Sequence, residues 1–310
     1  MIPQWNLSLL SNRLARAGGR RIPEAVLERD YCLAWFLVGL SQSSLREHLV
    51  FKGGTALKRC YFGDYRFSED LDFTLASEMP LEDILSALED VYAHVRSAAG
   101  IPFRYSREDR KKHQNSHTFY LAYKGPLPAA SPKEVKVDIT INEHFVLPIE
   151  ERAVLRGYAE YADLTEDNKI RVYALDEIGV EKVAALTDRA RNQPRDLYDV
   201  WYLTSEEHID LAMLMQELDS KLEFRGRSRD ALREEGGALQ EALEYAARLA
   251  DGGAASLRRR FPSRAPELPS GGVDRTMIDV AEFTRLKPDG VGDERPSIPR
   301  FSGQVQAANR

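Results

Sequence analysis

The chain has 310 residues, 43% hydrophobic and 30% charged, with a formal net charge of −6. That apolar share sustains a buried core, so wholesale disorder, collagen-like and disulfide-stapled architectures are excluded, and the length fits one large domain or two of about 150 residues. The two cysteines, Cys32 and Cys60, sit among apolar neighbours and read as free thiols of a reducing compartment rather than a disulfide framework.

In chain order, the segment from Met1 to Arg21 has no cationic start followed by an apolar core and a small-residue cleavage site, so no secretory leader is expected. Pro23 to Leu40 places Val26, Leu27, Ala34, Leu37 and Val38 at helical spacing behind a first-turn proline. Its apolar run, Tyr31 to Leu40, is far shorter than the roughly 20 residues of a bilayer crossing, so a cytoplasmic protein without a membrane anchor is expected. A further helix at Ser41 to Glu47 leads into Leu49-Val50-Phe51, and a helical pattern runs from Thr55 to Tyr61. Leu71, Phe73 and Leu75 alternate with Asp70, Asp72 and Thr74, the pattern of a half-buried strand. Pro80 to Ser97 is an amphipathic helix with Leu81, Ile84, Leu85, Leu88 and Val91 inside.

Two strands follow, Ser116 to Tyr123 and Glu134 to Ile141, and the turn-rich Gly125-Pro126-Leu127-Pro128 between them suits an antiparallel pair. Beyond Pro148 the pattern turns helical, at Leu175 to Ala190, Arg195 to Leu203, Ile209 to Leu222 and Ala238 to Leu249. The expected organisation is a core with N-terminal helices over 1–165, a helical C-terminal domain over 166–262, and a loosely ordered tail over 263–310 rich in proline and glycine.

The chemistry concentrates on the polar sides of two strands. Asp70 and Asp72 lie two apart, so both carboxylates leave one face with Cα atoms about 6.6 Å apart. In Glu134 to Ile141 the β-branched residues share one face and Lys136, Asp138 and Thr140 the other, which supplies a third carboxylate. Like charges this close call for a cation, and hard oxygen ligands suit Mg²⁺. Three acids around two metal ions are the apparatus for in-line attack on phosphorus. The plainer reading is a polar outer face on an edge strand. Upstream, Gly53-Gly54-Thr55 opens a helix whose first N–H groups could hold a phosphate, or whose Thr55 could simply cap it. Motifs for zinc hydrolases, zinc fingers and dinucleotide binding are missing, and His113 and His117 read as solvated or satisfied side chains.

The segment Phe51-Lys52-Gly53-Gly54-Thr55-Ala56-Leu57-Lys58, followed by Arg66-Phe67-Ser68-Glu69-Asp70-Leu71-Asp72-Phe73, resembles the first signature of the AbiEii/MenA family of nucleotidyltransferase toxins, members of the DNA polymerase β-like nucleotidyltransferase superfamily. Val135 to Ile139 resembles its second motif, Glu181 to Leu186 its third and Arg195 to Asp199 its fourth, in family order across residues 51 to 199. The resemblance implies an α+β fold: a polymerase β-like core with a small mixed sheet, then a mostly helical C-terminal domain closing the other side of the cleft. It implies that Gly53, Gly54 and Thr55 hold the triphosphate, with Lys58, Arg66 and Ser68 as further nucleotide-binding candidates. Asp70 and Asp72 would ligate Mg²⁺, and Asp138 would take the third-carboxylate place of the superfamily.

Lys182 and Arg189 fall two turns apart on one helix face and would both meet the triphosphate, though an exposed helix lysine reads equally as a solvated face. Asp196 and Asp199 could be a cap with an acidic third residue, or Asp199 could pair with Arg195; the fourth motif makes one of the two an active-site acid. The implied reaction is transfer of a nucleotide from an NTP to an RNA acceptor, the tRNA 3′ end, with release of pyrophosphate. The protein would be the toxin of a toxin–antitoxin pair in phage defence or growth control. Nine Lys/Arg against four acids from Met1 to Cys60, and the cluster Arg110-Lys111-Lys112, permit such a polyanion. Candidate RNA contacts are Arg13, Arg16, Arg20, Arg21, Arg110, Lys111 and Lys112. A nucleotidyltransferase acting on a small-molecule or protein hydroxyl, and a non-catalytic nucleotide- or RNA-binding relative, remain open on the same residues.

Overall fold

Leu49-Val50-Phe51 has no polar face, which is the pattern of a strand covered on both sides. In the computed structural model this segment belongs to a central strand, and the rest of the fold is arranged around it. The structure describes residues 1–17, 21–111, 113–129, 131–186, 194–205 and 208–228. The expected helix at 238–249, the tail, Arg20, Lys112 and Arg189 lie outside the described residues. In chain order the helices are α1 (Gln4–Arg16), α2 (Glu24–Ser41), α3 (Gly53–Ala56), α4 (Leu81–Ala99), α5 (Leu175–Leu186), α6 (Pro194–Ser205) and α7 (Met215–Phe224). The strands are β1 (Leu49–Lys52), β2 (Leu71–Leu75), β3 (Phe103–Glu108), β4 (Ser116–Tyr123), β5 (Lys133–Thr140), β6 (Glu150–Ala153) and β7 (Lys169–Val172).

The strands form one seven-stranded mixed sheet in the order β3-β4-β5-β2-β1-β7-β6. β1 is antiparallel to β2 and parallel to β7, and β2 is parallel to β5. The expected pairing of β4 with β5 is antiparallel, as the turn between them requires. The sheet is larger than the small one anticipated. β6 and β7 are four residues each, too short for alternation to register, and the shift between Tyr105 and Arg107 interrupts the alternation of β3. Phe51 pairs with Val172, so the sheet takes a strand from beyond residue 165 and the helical region starts at Leu175.

The two sheet faces differ by strand parity. Phe51, Phe73, Phe119, Val137 and Ile139 face the core, where the rings of Phe51 and Phe73 lie 5.1 Å apart. α2 covers this face: it is apolar nearly all round, and its Phe36 ring meets Phe103 at 5.5 Å. Its Gly39 is required by packing, since a Cβ there would lie 2.5 Å from a methyl of Val95 on α4. Buried charges on α2 are matched: Asp30 pairs with Arg59, and Glu28 with Lys133. Cys32 and Cys60 are free and buried, as expected. Among the described residues no helix is long and apolar enough to cross a membrane.

Candidate active site

The opposite sheet face carries the acids. Register aligns Thr118, Asp138, Asp72 and Lys52 in one row across β4, β5, β2 and β1. Asp70 lies one residue before β2 begins, outside the ladder, and is fixed instead by the Thr55 hydroxyl, which donates to its backbone carbonyl at 2.6 Å. Among the described residues, Asp72 accepts no hydrogen bond and has no ion-pair partner. Burial pushes its carboxyl up to about 6, Asp70 and Asp138 push the same way, and Lys52 and Lys182 oppose them. A charged carboxylate without a donor is open to a cation.

Asp138 is not open in the same way. Its Oδ2 has the Lys136 ammonium and the Thr118 hydroxyl at 3.4 Å each, and no three His, Cys, Asp or Glu side chains among the described residues group as a metal cage. The donor set therefore suits Mg²⁺ held by Asp70 and Asp72 with the remaining ligands from water and substrate, a usual arrangement for this ion. Asp138, expected as a third carboxylate, lies in the same row as Asp72 with Lys136 as its neighbouring cation.

Gly53 has φ +78°, and a Cβ there would lie 2.6 Å from Oδ2 of Asp72, so a side chain at 53 is both strained and in collision. At Gly54 a Cβ would meet Nη2 of Arg66 at 2.7 Å and Oγ of Ser68 at 3.2 Å. Both glycines are buried, and their lack of a side chain admits Asp72 and Arg66 at close range. Thr55 is 2% exposed, and its hydroxyl donates to the Asp70 carbonyl. Ser68 is half-buried beside Gly54.

A second charged cluster braces the loop before β2 against α5 and α6. Arg66 donates through Nε and Nη2 to the two oxygens of Asp199, each at 2.6 Å, and the Tyr65 hydroxyl donates to Oδ1 at 2.6 Å. Lys182 lies 2.8 Å from Asp199 and 2.5 Å from Asp196. Asp199 is fully buried, and against the cost of that burial Lys182 and Arg66 hold its carboxyl well below the usual range. Burial likewise opposes the Lys182 charge, and Asp199 and Asp196 more than offset it. Two cations and two carboxylates cancel, so this cluster is a neutral strut. Lys182 is thus buried and ion-paired, not a solvated helix lysine. Arg195 does not pair with Asp199; it reaches Oδ2 of Asp70 at 3.7 Å with its side chain 53% exposed.

The sheet row, the glycine turn and the strut all fall inside residues 35–297, which match the family model for the nucleotidyl transferase AbiEii toxin of type IV toxin–antitoxin systems. The chain belongs to the AbiEii nucleotidyltransferase toxin family. Among solved structures it is similar to MenT4, a nucleotidyltransferase toxin from Mycobacterium tuberculosis H37Rv, at 24% sequence identity and a TM-score of 0.46. That similarity covers 64% of each chain, so this chain spans somewhat under two thirds of MenT4. No curated protein matches it.

Within this AbiEii chain, Lys58, a nucleotide-binding candidate, is buried in a set of hydrogen bonds. It is 1% exposed and donates to the carbonyls of Gly63 and Tyr65 and to the Tyr158 hydroxyl, with the Phe67 ring 4.4 Å away. Burial pushes its ammonium down to about 8. A π-helical turn at Leu57–Tyr61 breaks the 3.6-residue register, and the lysine ties down the loop bearing Tyr65 and Arg66. Sequence reasoning missed Lys52, Glu181 and Arg195 as site residues. Their signal was weak, because each of the first two gains its meaning from a partner 129 positions away.

Proposed function

We propose that the protein is a Mg²⁺-dependent nucleotidyltransferase that moves a nucleotide from an NTP to an RNA acceptor, the tRNA 3′ end, releasing pyrophosphate, and that it acts as the toxin of a toxin–antitoxin pair in phage defence. The observation that carries this reading is the open Asp72 carboxylate beside Asp70, in a chain of the AbiEii family. When bound there, Mg²⁺ supplies neutralisation of phosphate charge and activation of a hydroxyl.

The chain's own residues prepare the site. Thr55 fixes the backbone of Asp70, and Gly53 leaves room for the Asp72 carboxylate. Arg195, half-exposed and close to Asp70, is placed to donate to substrate phosphate oxygens in its fork geometry. The strut of Arg66, Lys182, Asp196 and Asp199 holds α6, and with it Arg195, against the loop before β2. Among the RNA-contact candidates, Arg16, Arg21, Arg110 and Lys111 are exposed, while Arg13 is engaged by Glu160 at 2.7 Å. The type IV toxin–antitoxin family supports a cognate antitoxin as partner.

The test is incubation of the protein with each NTP labelled at the α-phosphate, Mg²⁺ and total RNA. Label in RNA, lost on chelation of Mg²⁺, is the expected result. Label in a small molecule or in protein would support the other acceptors, and no label from any NTP would contradict transfer altogether.

A further inference from the structure

Lys52 is the register partner of Asp72 and shares its sheet face, where paired side chains lie within reach of one another. Yet its ammonium turns away, to Oε1 of Glu181 at 2.9 Å and Oγ1 of Thr140 at 3.0 Å. Glu181 is itself anchored. Arg225 lies 3.1 Å from Glu181 and 2.5 Å from Glu143, and Lys221 lies 3.5 Å from Glu143 and 2.7 Å from Glu177. Glu177 in turn accepts the backbone N–H groups of Val146 and Leu147. Signs alternate along this file from Lys52 to Glu177, and its side chains range from fully buried to 21% exposed. Burial opposes the charge of Glu181, and Lys52, Arg225 and Lys221 hold its carboxyl well below the usual range, so it is a permanent anion.

An ammonium beside a carboxylate that is to hold a divalent cation is a competitor for the same lone pairs. We propose that Glu181, anchored to α7 through Arg225, is a positioning residue that holds the Lys52 ammonium off Asp72 and so keeps that carboxylate open to a divalent cation. The inference rests on the reading of Asp70 and Asp72 as the cation site. Neutralising Glu181 leaves Lys52 with Asp72 as its neighbouring carboxylate, and the ammonium closes on it.

Binding of Mn²⁺ to the full-length protein alone, followed by electron paramagnetic resonance of the free ion, tests this without NTP, RNA or turnover. Glu181→Gln is expected to weaken Mn²⁺ binding about tenfold or more, the scale of one ion pair in a partly buried site. The double variant Lys52→Met with Glu181→Gln is expected to restore wild-type affinity, which the loss of a merely structural contact would not do. Lys52→Met alone, which keeps the proposal testable should Glu181→Gln fail to fold, is expected to bind at least as tightly as wild type. Wild-type affinity in Glu181→Gln, no recovery in the double variant, or weaker binding in Lys52→Met would overturn the proposal. A wild-type protein that binds no Mn²⁺ would instead overturn the cation-site reading itself, and this inference with it.

Discussion

Asp199→Ala is expected to lower the unfolding free energy by about 3–5 kcal/mol at neutral pH, because removing one member of a buried ion cluster strands the others. Asp199 is fully buried and receives both arms of the Arg66 fork, the Tyr65 hydroxyl and the Lys182 ammonium. Its loss leaves Arg66 and Lys182 with Asp196 as the remaining carboxylate of the cluster. Against the 5–15 kcal/mol of an ordinary domain this is a large fraction, and urea unfolding with an unchanged m-value reads it directly. The carboxyl sits below its ordinary range when folded, so its stabilisation is present above that range and fades as pH falls below it. The gap between wild type and variant therefore narrows on acidification. A loss below about 1 kcal/mol at neutral pH would mean that the cluster is not a strut.

Asp72→Asn is expected to behave in the opposite way, with transfer falling on the order of 10³-fold, the scale of losing one well-placed electrostatic group, and stability not falling at all. The carboxyl is pushed from an ordinary value of 3.8 up to about 6, chiefly by burial. Between those values the folded protein holds a proton that the unfolded chain has released. Without divalent cations, wild-type stability thus declines as pH rises from about 4 to about 6. Asparagine removes the charge and with it that decline, so the variant melts at or above wild type at neutral pH. A variant that loses stability as Asp199→Ala does would make Asp72 structural. One that retains near-normal transfer would remove it from the chemistry.

These two aspartates mark what was legible in the sequence. Asp72 stands out because alternation around Leu71, Phe73 and Leu75 puts it on a polar face, and that is a local property of six residues. The pairing of β4 with β5 was legible for the same reason, through the turn chemistry between them. Asp199 was legible as a motif residue, but not as a strut, because Arg66 lies 133 positions away and only the folded chain brings the two together. The partners of Lys182 and Lys58 were not legible, because the carboxylates and carbonyls they meet come from α6 and from the loop at 63–65. β7 escaped because four residues carry too little periodicity, although Val172 beside Phe51 extends the sheet past the expected division.

In the proposed reading, Asp70 and Asp72 form the cation site while Lys182 and Asp199 hold α5 and α6 against the loop before β2. A crystal of the protein with Mn²⁺ and a non-hydrolysable NTP, measured for anomalous scattering at the manganese edge, tests it most directly. A peak within coordination distance of Asp70 and Asp72, with the Lys182–Asp199 pair intact, is expected. A peak on Asp199 or Asp196, with Lys182 turned to the phosphates, would contradict it.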